Sequence, residues 1–321
     1  MNFWDVIKEV SAQPVRNEAS RLFVLGLAGD PEPVAAARSL ALGPLTIREA
    51  EEAREFLFCA TPPYSEEAEK RLRYADLLVS LPGGPGVTEL RPADTLKLER
   101  PTDLFPAVLE RRPDLRVSLA RRLPGFRPLA AEQVIRDVSR VNAEFAAVSS
   151  LSGSLPFLAP LFPAFAGADV LVLTKNQVLL IFRLAAIYGE SLDLTSRARE
   201  VAGVVGSALG WRTLARQIAG AVPGLGVGIK AGIAYSGTYA VGRAAQMVFD
   251  EGRRPNRQEM LRIYEEATTL AKETAARVLE AAAGRRREPG SNGSKVEEAA
   301  TPALPAGEPA PADAEREPRE V

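Results

Sequence analysis

The chain has 321 residues and carries 40 Lys and Arg against 41 Asp and Glu, so its overall charge gives no reason to expect a nucleic-acid partner. It contains no histidine, which excludes Ser-His-Asp and Cys-His nucleophile systems, histidine-ligated zinc and imidazole acid–base chemistry. The single cysteine, Cys59, rules out an intramolecular disulfide and a cysteine metal cluster, and it fits a reducing compartment.

Met1 is followed by Asn2-Phe3-Trp4-Asp5 and a charged amphipathic pattern, not by a basic start with an apolar stretch. That predicts no secretory signal, and a place in the cytoplasm or on the cytoplasmic face of the cell membrane. Residues 1–130 hold 18 basic and 19 acidic side chains, an ordinary water-facing mixture. Apolar runs at Leu22–Leu27, Glu55–Ala60 and Asp76–Leu81 read as strands, with helix-compatible stretches at Val34–Leu42 and Ser65–Tyr74 after the first two. This alternation predicts an α/β domain with a parallel sheet covered on both faces. Further helices are expected over Asp103–Arg111 and Asp114–Leu123.

The first strand leads into Gly26-Leu27-Ala28-Gly29-Asp30-Pro31-Glu32-Pro33. A glycine-bearing turn from strand to helix is where an α/β protein holds phosphate on backbone N–H groups. A working phosphate loop also needs a lysine and a hydroxyl, and neither is present. Pro31 and Pro33 remove two N–H donors, while Asp30 and Glu32 put negative charge where phosphate would sit. Gly26, Gly29 and Asp30 therefore form at most a remnant of a phosphate loop. A second glycine cluster, Pro82-Gly83-Gly84-Pro85-Gly86, follows the third strand without the acid that a nucleotide hydrolase places there. Thr174-Lys175-Asn176-Gln177 imitates a guanine-reading box but ends in Gln177 instead of an acid. No nucleotide hydrolysis, no catalytic residue, no metal and no cofactor is expected.

Charge then thins. Residues 145–249 hold eight basic and four acidic side chains in 105 positions. Glu132 is expected to open a helix with Val134, Val138, Val141, Phe145 and Val148 as its apolar stripe. From Phe145 through Ala168 there is no charge, a run long enough to span a hydrocarbon layer of ~30 Å. Pro156, Pro160 and Pro163 oppose a simple span, so Leu155–Phe165 reads as a buried apolar loop or a segment in the membrane interface.

Asp169 is expected to cap a helix that runs to Tyr188 and stops at Gly189, with Lys175, Asn176 and Gln177 as a polar seam between helices. Further helices are expected over Thr195–Leu209 and from Trp211-Arg212-Thr213 to Pro223-Gly224. Gly228, Gly232, Ser236 and Ala240 recur every fourth residue, a spacing that lets helix backbones approach closely in membranes and in water-soluble bundles alike. Asn256 with Glu259 makes a capping box for a last helix to Ala283, closed by Gly284. Residues 285–321 begin with Arg285-Arg286-Arg287 and contain six prolines and no aromatic residue, a composition expected to be disordered.

Three blocks in order carry a family resemblance: Asp169–Gln177 with Leu184–Gly189, Gly210–Arg216, and Ile233–Arg243. Together they resemble an uncharacterised bacterial helical domain found C-terminal to some GTPase domains and related to YcjF-like inner-membrane proteins. The resemblance covers about residues 132–268. It implies a helical, often membrane-associated module behind a GTPase-like domain, here degenerate, and it implies no reaction. The expected organisation is a degenerate GTPase-like α/β domain over 1–130, a low-charge helical module over 131–284 and a tail over 285–321.

The expected role is non-enzymatic. The helical module would contact inner-membrane lipid or a membrane protein and associate with a second copy, and the α/β domain would offer an interaction surface. Lys175, Asn176, Gln177, Trp211, Arg212, Arg216, Gly228, Lys230, Gly232, Ser236 and Arg243 are the candidate helix-packing or lipid-contact residues. Two rival readings stand beside this one: a nucleotide-dependent switch with a divergent loop, and a water-soluble two-domain adaptor.

Overall fold

Uncharged apolar residues form β1 (Leu25–Ala28), β2 (Leu57–Ala60) and β3 (Leu77–Ser80), and a fourth strand, β4 (Thr95–Lys97), extends the sheet. The computed structural model describes residues 10–45, 47–85, 94–152, 162–192 and 226–286. The chain divides into two units, Met1–Pro289 and Gly290–Val321, and every described residue lies in the first. That unit is mostly helical around one small parallel sheet of order β2-β1-β3-β4, with Leu25 opposite both Leu57 and Leu77.

Alternate strand residues face opposite sides. Leu25, Leu27, Leu57, Leu77 and Val79 enter the main core, while Ala28, Ala60 and Leu78 meet Leu72 on the thinner face. Helices α1 (Gln13–Ser20), α2 (Pro31–Leu42), α3 (Ile47–Phe56) and α4 (Glu66–Arg73) surround the sheet, and α3 runs directly into β2. Ser65 caps α4, its hydroxyl accepting from the Ala68 amide at 3.2 Å.

The strands are shorter than the apolar runs suggest. Leu22 is 78 % exposed and precedes β1, and Glu55 and Phe56 belong to α3. Asp76 sits outside β3 and accepts from the Val24 amide at 2.8 Å, fixing the entry to two neighbouring strands.

The next three helices, α5 (Leu104–Arg111), α6 (Arg116–Arg122) and α7 (Arg127–Ser152), are each entered through one 3₁₀ turn led by proline: Pro101–Asp103, Pro113–Leu115 and Pro124–Phe126. Proline drives the residue before it out of the helical region, and Arg100, Arg112 and Leu123 all have φ between −122° and −130°. These turns move the expected starts: α6 begins two residues after Asp114, and α7 opens at Arg127, ahead of Glu132.

Three further long helices complete the unit: α8 (Phe162–Ile187), α9 (Gly226–Glu251) and α10 (Arg257–Arg286). Asp169 lies inside α8 and does not cap it. Pro163, at the second helical position, is tolerated because its missing N–H would have been unpaired in the first turn anyway. Gly189 ends this helix with φ 79°, a conformation that favours glycine. Gly284 does not stop α10, which continues to Arg286. The expected helices between 195 and 224, most of Leu155–Phe165 and the tail beyond Arg286 lie outside the described residues.

Cross-helix pairs fix the helix directions. Arg127 lies beside Gly189 and Asn142 bonds Asn176, so α7 and α8 are antiparallel. Leu180 lies against Gly242 and Tyr188 bonds Gln246, so α8 and α9 are parallel. The α9–α10 pair is an antiparallel hairpin held by the Tyr239 hydroxyl donating to Glu266 Oε1 at 2.6 Å. One end of the bundle, its base, therefore adjoins the elements around the sheet. The other end, its tip, gathers the C-termini of α7 and α10 and the N-termini of α8 and α9. A single hydrophobic core runs from β1 through α5 and α6 into α7, α8 and α9.

Candidate functional site

Two places combine the features that the sequence singles out. The first lies at the C-terminal ends of the strands. In the order β2-β1-β3-β4 the connections from β1 and β2 leave to opposite sides, and the gap between the ends of β1 and β3 is where open α/β sheets bind ligands. Here the two loops close on each other. The Leu81 amide donates to the Ala28 carbonyl at 2.8 Å, the Asp30 amide to Pro82 at 2.7 Å and the Gly29 amide to Ala60 at 3.3 Å. The Ser80 hydroxyl donates to the Pro85 carbonyl at 2.8 Å.

Donors that would cradle a phosphate are thus spent on carbonyl groups. The glycines permit this contact: a Cβ on Gly29 would lie 2.7 Å from the Pro82 oxygen, and one on Gly84 would lie 2.6 Å from the Ala28 oxygen. Gly83, at φ 74°, packs on the Asp30 carboxylate. Gly26 is not in the loop at all. It lies within β1, where a Cβ would come 3.2 Å from Leu72 and 3.3 Å from Ala75.

Beside this contact the Tyr64 hydroxyl is buried without a hydrogen-bond partner among the described residues. Burial first, and the Asp30 charge second, raise its pKa above the usual phenol value. Burial also pushes the Cys59 thiol up to about 11 against the opposing charge of Arg38, which leaves it protonated at neutral pH and a poor nucleophile. Among the described residues no group of three acidic or cysteine side chains is placed to hold a metal ion.

The second place is the helical bundle. Asn176 Nδ2 donates to Asn142 Oδ1 at 2.7 Å, Asn142 Nδ2 donates to Thr238 Oγ1 at 2.8 Å, and Gln177 Nε2 reaches the same oxygen at 3.4 Å. These groups link α7, α8 and α9 inside the bundle, and Asn142 is fully buried. Asn176 and Gln177 belong to this node, whereas Lys175 points to solvent.

Gly228, Gly232, Ser236 and Ala240 are all buried within the chain, where α9 lies between α7 and α10. Opposing small residues on α10, Ala267, Ala271 and Ala275, are buried as well. The Ser236 hydroxyl turns back to the Gly232 carbonyl at 2.8 Å. Lys230 is exposed near the tip. Arg243 lies toward the base, donating to Gln246, which in turn bonds Tyr188. Trp211, Arg212 and Arg216 lie outside the described residues.

The apolar face of α7 departs from the expected stripe. Beyond Val138 the buried positions are Ser139, Asn142, Ala143, Ala146 and Ala147, because α9 packs too closely for larger side chains. Val141 and Phe145 are only half-buried, and Val148 is 59 % exposed. Asn142 and Thr238 escaped the sequence reading. An asparagine between Val138 and Phe145 was the signal for the first, since a polar residue beside an apolar stripe needs a partner on another helix. Comparison with protein-family models, with curated proteins and with solved structures gives no match.

Proposed function

We infer that the protein is a non-enzymatic membrane-associated factor whose bundle tip contacts lipid, with the elements around the sheet offering a surface to another protein. One observation carries this reading. The charge-free end of α7, from Phe145 to Ser152, meets the charge-free start of α8, from Phe162 to Ala168, and the first residues of α9 at one end of the bundle. The outward apolar residues of α7, Phe145 and Val148, are at that end. Burying two such side chains in the acyl boundary stabilises binding by ~1.5–3 kcal/mol each when burial is complete.

Contact is favoured over a crossing. Among the described residues no helix is long and apolar enough to cross a membrane, and α8 carries Lys175, Asn176, Gln177 and Arg183 along its length. The likeness of residues 132–268 to helical modules of the YcjF-like kind agrees with the reading and supplies no reaction. The closed strand-end loops give a triphosphate few free N–H donors, which supports a role without nucleotide chemistry. The buried Gly228–Ala240 stripe leaves any self-association to another surface.

Co-flotation of the purified protein with phospholipid vesicles tests the reading. Wild type is expected in the lipid fraction, and the pair Phe145→Ser and Val148→Asp in the soluble fraction. Equal recovery of both, or wild type wholly in the soluble fraction, overturns it. Titration with GTP and ATP plus magnesium tests the switch reading, with no saturable binding expected.

A further inference from the structure

Independently of lipid contact at the tip, we propose that α1 is a detachable strap, and that the groove it fills on α6 and α8 docks a partner protein's helix presenting a carboxylate to Arg183. Arg183 lies in the run Val178–Ile187, where every other residue is apolar, and it is 7 % exposed. Its recorded acidic partner is Glu18 of α1, 165 residues away in the sequence. A buried pair of this kind adds little net stability, because both charges give up water. A helix without an acid at this place would leave the guanidinium buried and unpaired. The pair therefore selects what lies in the groove.

The rest of α1 is lightly held. Eight residues are too few for a helix that is stable by itself, and no side-chain bond caps its first turn. Two valines and two alanines, Val10, Ala12, Val15 and Ala19, are its buried apolar residues. Among the described residues no recorded backbone hydrogen bond joins residues 10–22 to another element. The first such bond runs from the Asp76 amide to the Val24 carbonyl. The ion pair of Arg21 with Asp114, at 3.2 Å, is largely solvated. Ser20, Arg21 and Leu22 are all exposed, so the connection to β1 is free to pivot. Release of α1 returns Glu18 and Arg183 to water together. The seat it leaves fits small apolar residues one turn apart, as Val15 and Ala19 are, with an acid between them.

Amide exchange on the full chain reads the strap directly. The amides of α1 are expected to be protected on the order of a thousandfold, with little response to low urea, and those around Phe182 at least about tenfold more. A labelled peptide of residues 10–22 stands in for the partner helix. Its apparent affinity is the intrinsic one reduced by the fraction of chains whose strap is open. Glu18→Gln in the chain loosens the strap and keeps Arg183, so this variant is expected to bind the peptide at least about tenfold tighter than wild type. Glu18→Asp is expected to fall between the two. A peptide carrying Glu18→Gln, or a chain carrying Glu18→Gln with Arg183→Met, is expected to lose that gain.

Exchange of α1 at the rate of α8, or peptide binding unchanged by Glu18→Gln in the chain, overturns the strap. Equal binding of peptides with and without the carboxylate overturns Arg183 as the selecting group. Wild-type dimers that the peptide dissociates would make a second copy the occupant and overturn the choice of another protein. Exchange around Phe182 in each variant separates a loosened strap from a lost fold.

Discussion

The base and the tip of the helical bundle belong to the same continuous unit yet are held by different chemistry. At the base, charge ties elements together across long stretches of sequence. Arg183 on α8 donates to both oxygens of Glu18 on α1 at 2.8 and 2.6 Å, and its side chain is only 9 % exposed. Arg127 reaches Glu49 at 2.7 Å, Arg116 reaches Asp137 at 2.7 Å, and Arg122 pairs with Glu52 while lying over the Phe56 ring. Arg121, its charged form disfavoured by burial and by neighbouring arginines, donates to the Ala186 carbonyl at the end of α8.

Toward the tip no ion pair is recorded among the described residues, and packing rests on Gly, Ala and Ser faces. One end therefore depends on paired charge and is suited to water. At the other, the end of α7 from Phe145 to Ser152 and the start of α8 from Phe162 to Ala168 carry no charge, while the exposed charges of that end, such as Lys230, Glu273 and Arg277, sit on α9 and α10 without a cross-element ion pair among the described residues.

The sharpest way to break this contrast is to remove charge from the base. Arg183→Leu leaves the Glu18 carboxylate partly buried without its partner, and breaking such a pair costs about 3–5 kcal/mol. Urea denaturation is expected to show that loss with vesicle binding of the remaining folded protein unchanged. A variant as stable as wild type would mean that α1 is not anchored through this pair. Next in size is the polar node between the two ends. Asn142→Leu removes the partner of Asn176 and one partner of Thr238, so unsatisfied buried groups and a tighter fit are expected to cost about 2–3 kcal/mol. Asn142→Asp, which keeps the shape but cannot donate to Thr238, is expected to be destabilising as well, more so above neutral pH than at pH 4, where the carboxyl can be protonated. A flat stability profile in that variant would show that the node contributes little.

Much of the architecture was written in local signals. The apolar runs around Leu25, Leu57 and Leu77 marked the strands, Ser65 and Asn256 marked helix starts, and Gly189 marked a helix end. What escaped the sequence was set by tertiary partners. Gly26 and Gly29 read as a worn phosphate loop, but Gly26 lies inside β1 and Gly29 lets its loop lie against Leu81 and Pro82, and no local rule reveals that neighbour. The stripe ending in Val148 failed for a related reason: α9 approaches α7 so closely that alanines face inward and the valine is turned out. β4 was missed because Thr95–Lys97 is short and ends in a charge, and pairing with β3 alone makes it a strand. The candidate tip was only half legible, since the sequence shows where charge is missing but not that three such segments end at one place.

A smaller effect is expected where the two ends share a helix. Gly242 on α9 faces Ile135 and Leu180, and a Cβ there would lie 2.8 Å from Ile135 Cγ1 and 3.1 Å from Leu180 Cδ2. Gly242→Val overfills this contact, which costs typically ~1–3 kcal/mol. The same change at an exposed tip position is expected to fall within about 0.5 kcal/mol. If both substitutions melted alike, close packing of α9 could not be what separates the interior of the bundle from its tip.

The mildest test uses protons. At the α9–α10 turn Arg253 donates to both oxygens of Glu259 at 2.8 and 2.7 Å, and Glu259 Oε2 also accepts the Asn256 amide at 2.7 Å. The Arg253 hydrogen bonds first, and the amide second, lower the Glu259 pKa from 4.5 to about 2. A carboxylate whose folded pKa is depressed stabilises the fold fully above its unfolded value and loses that contribution as pH falls through its folded value. Its help is thus complete above pH 4.5 and fades toward pH 2, and because the pair is exposed the slope should be shallow. Amide exchange corrected for its intrinsic pH dependence is expected to quicken in the first turn of α10 over this window. Exchange around Ala271 and Ala275, which are buried about four turns farther along the helix, should stay level. Glu259→Gln should flatten the response of the first turn without touching the second region. Parallel change along the whole of α10 would mean that the helix opens as one piece, and charge at the base would then be no more local in its action than the apolar packing farther along.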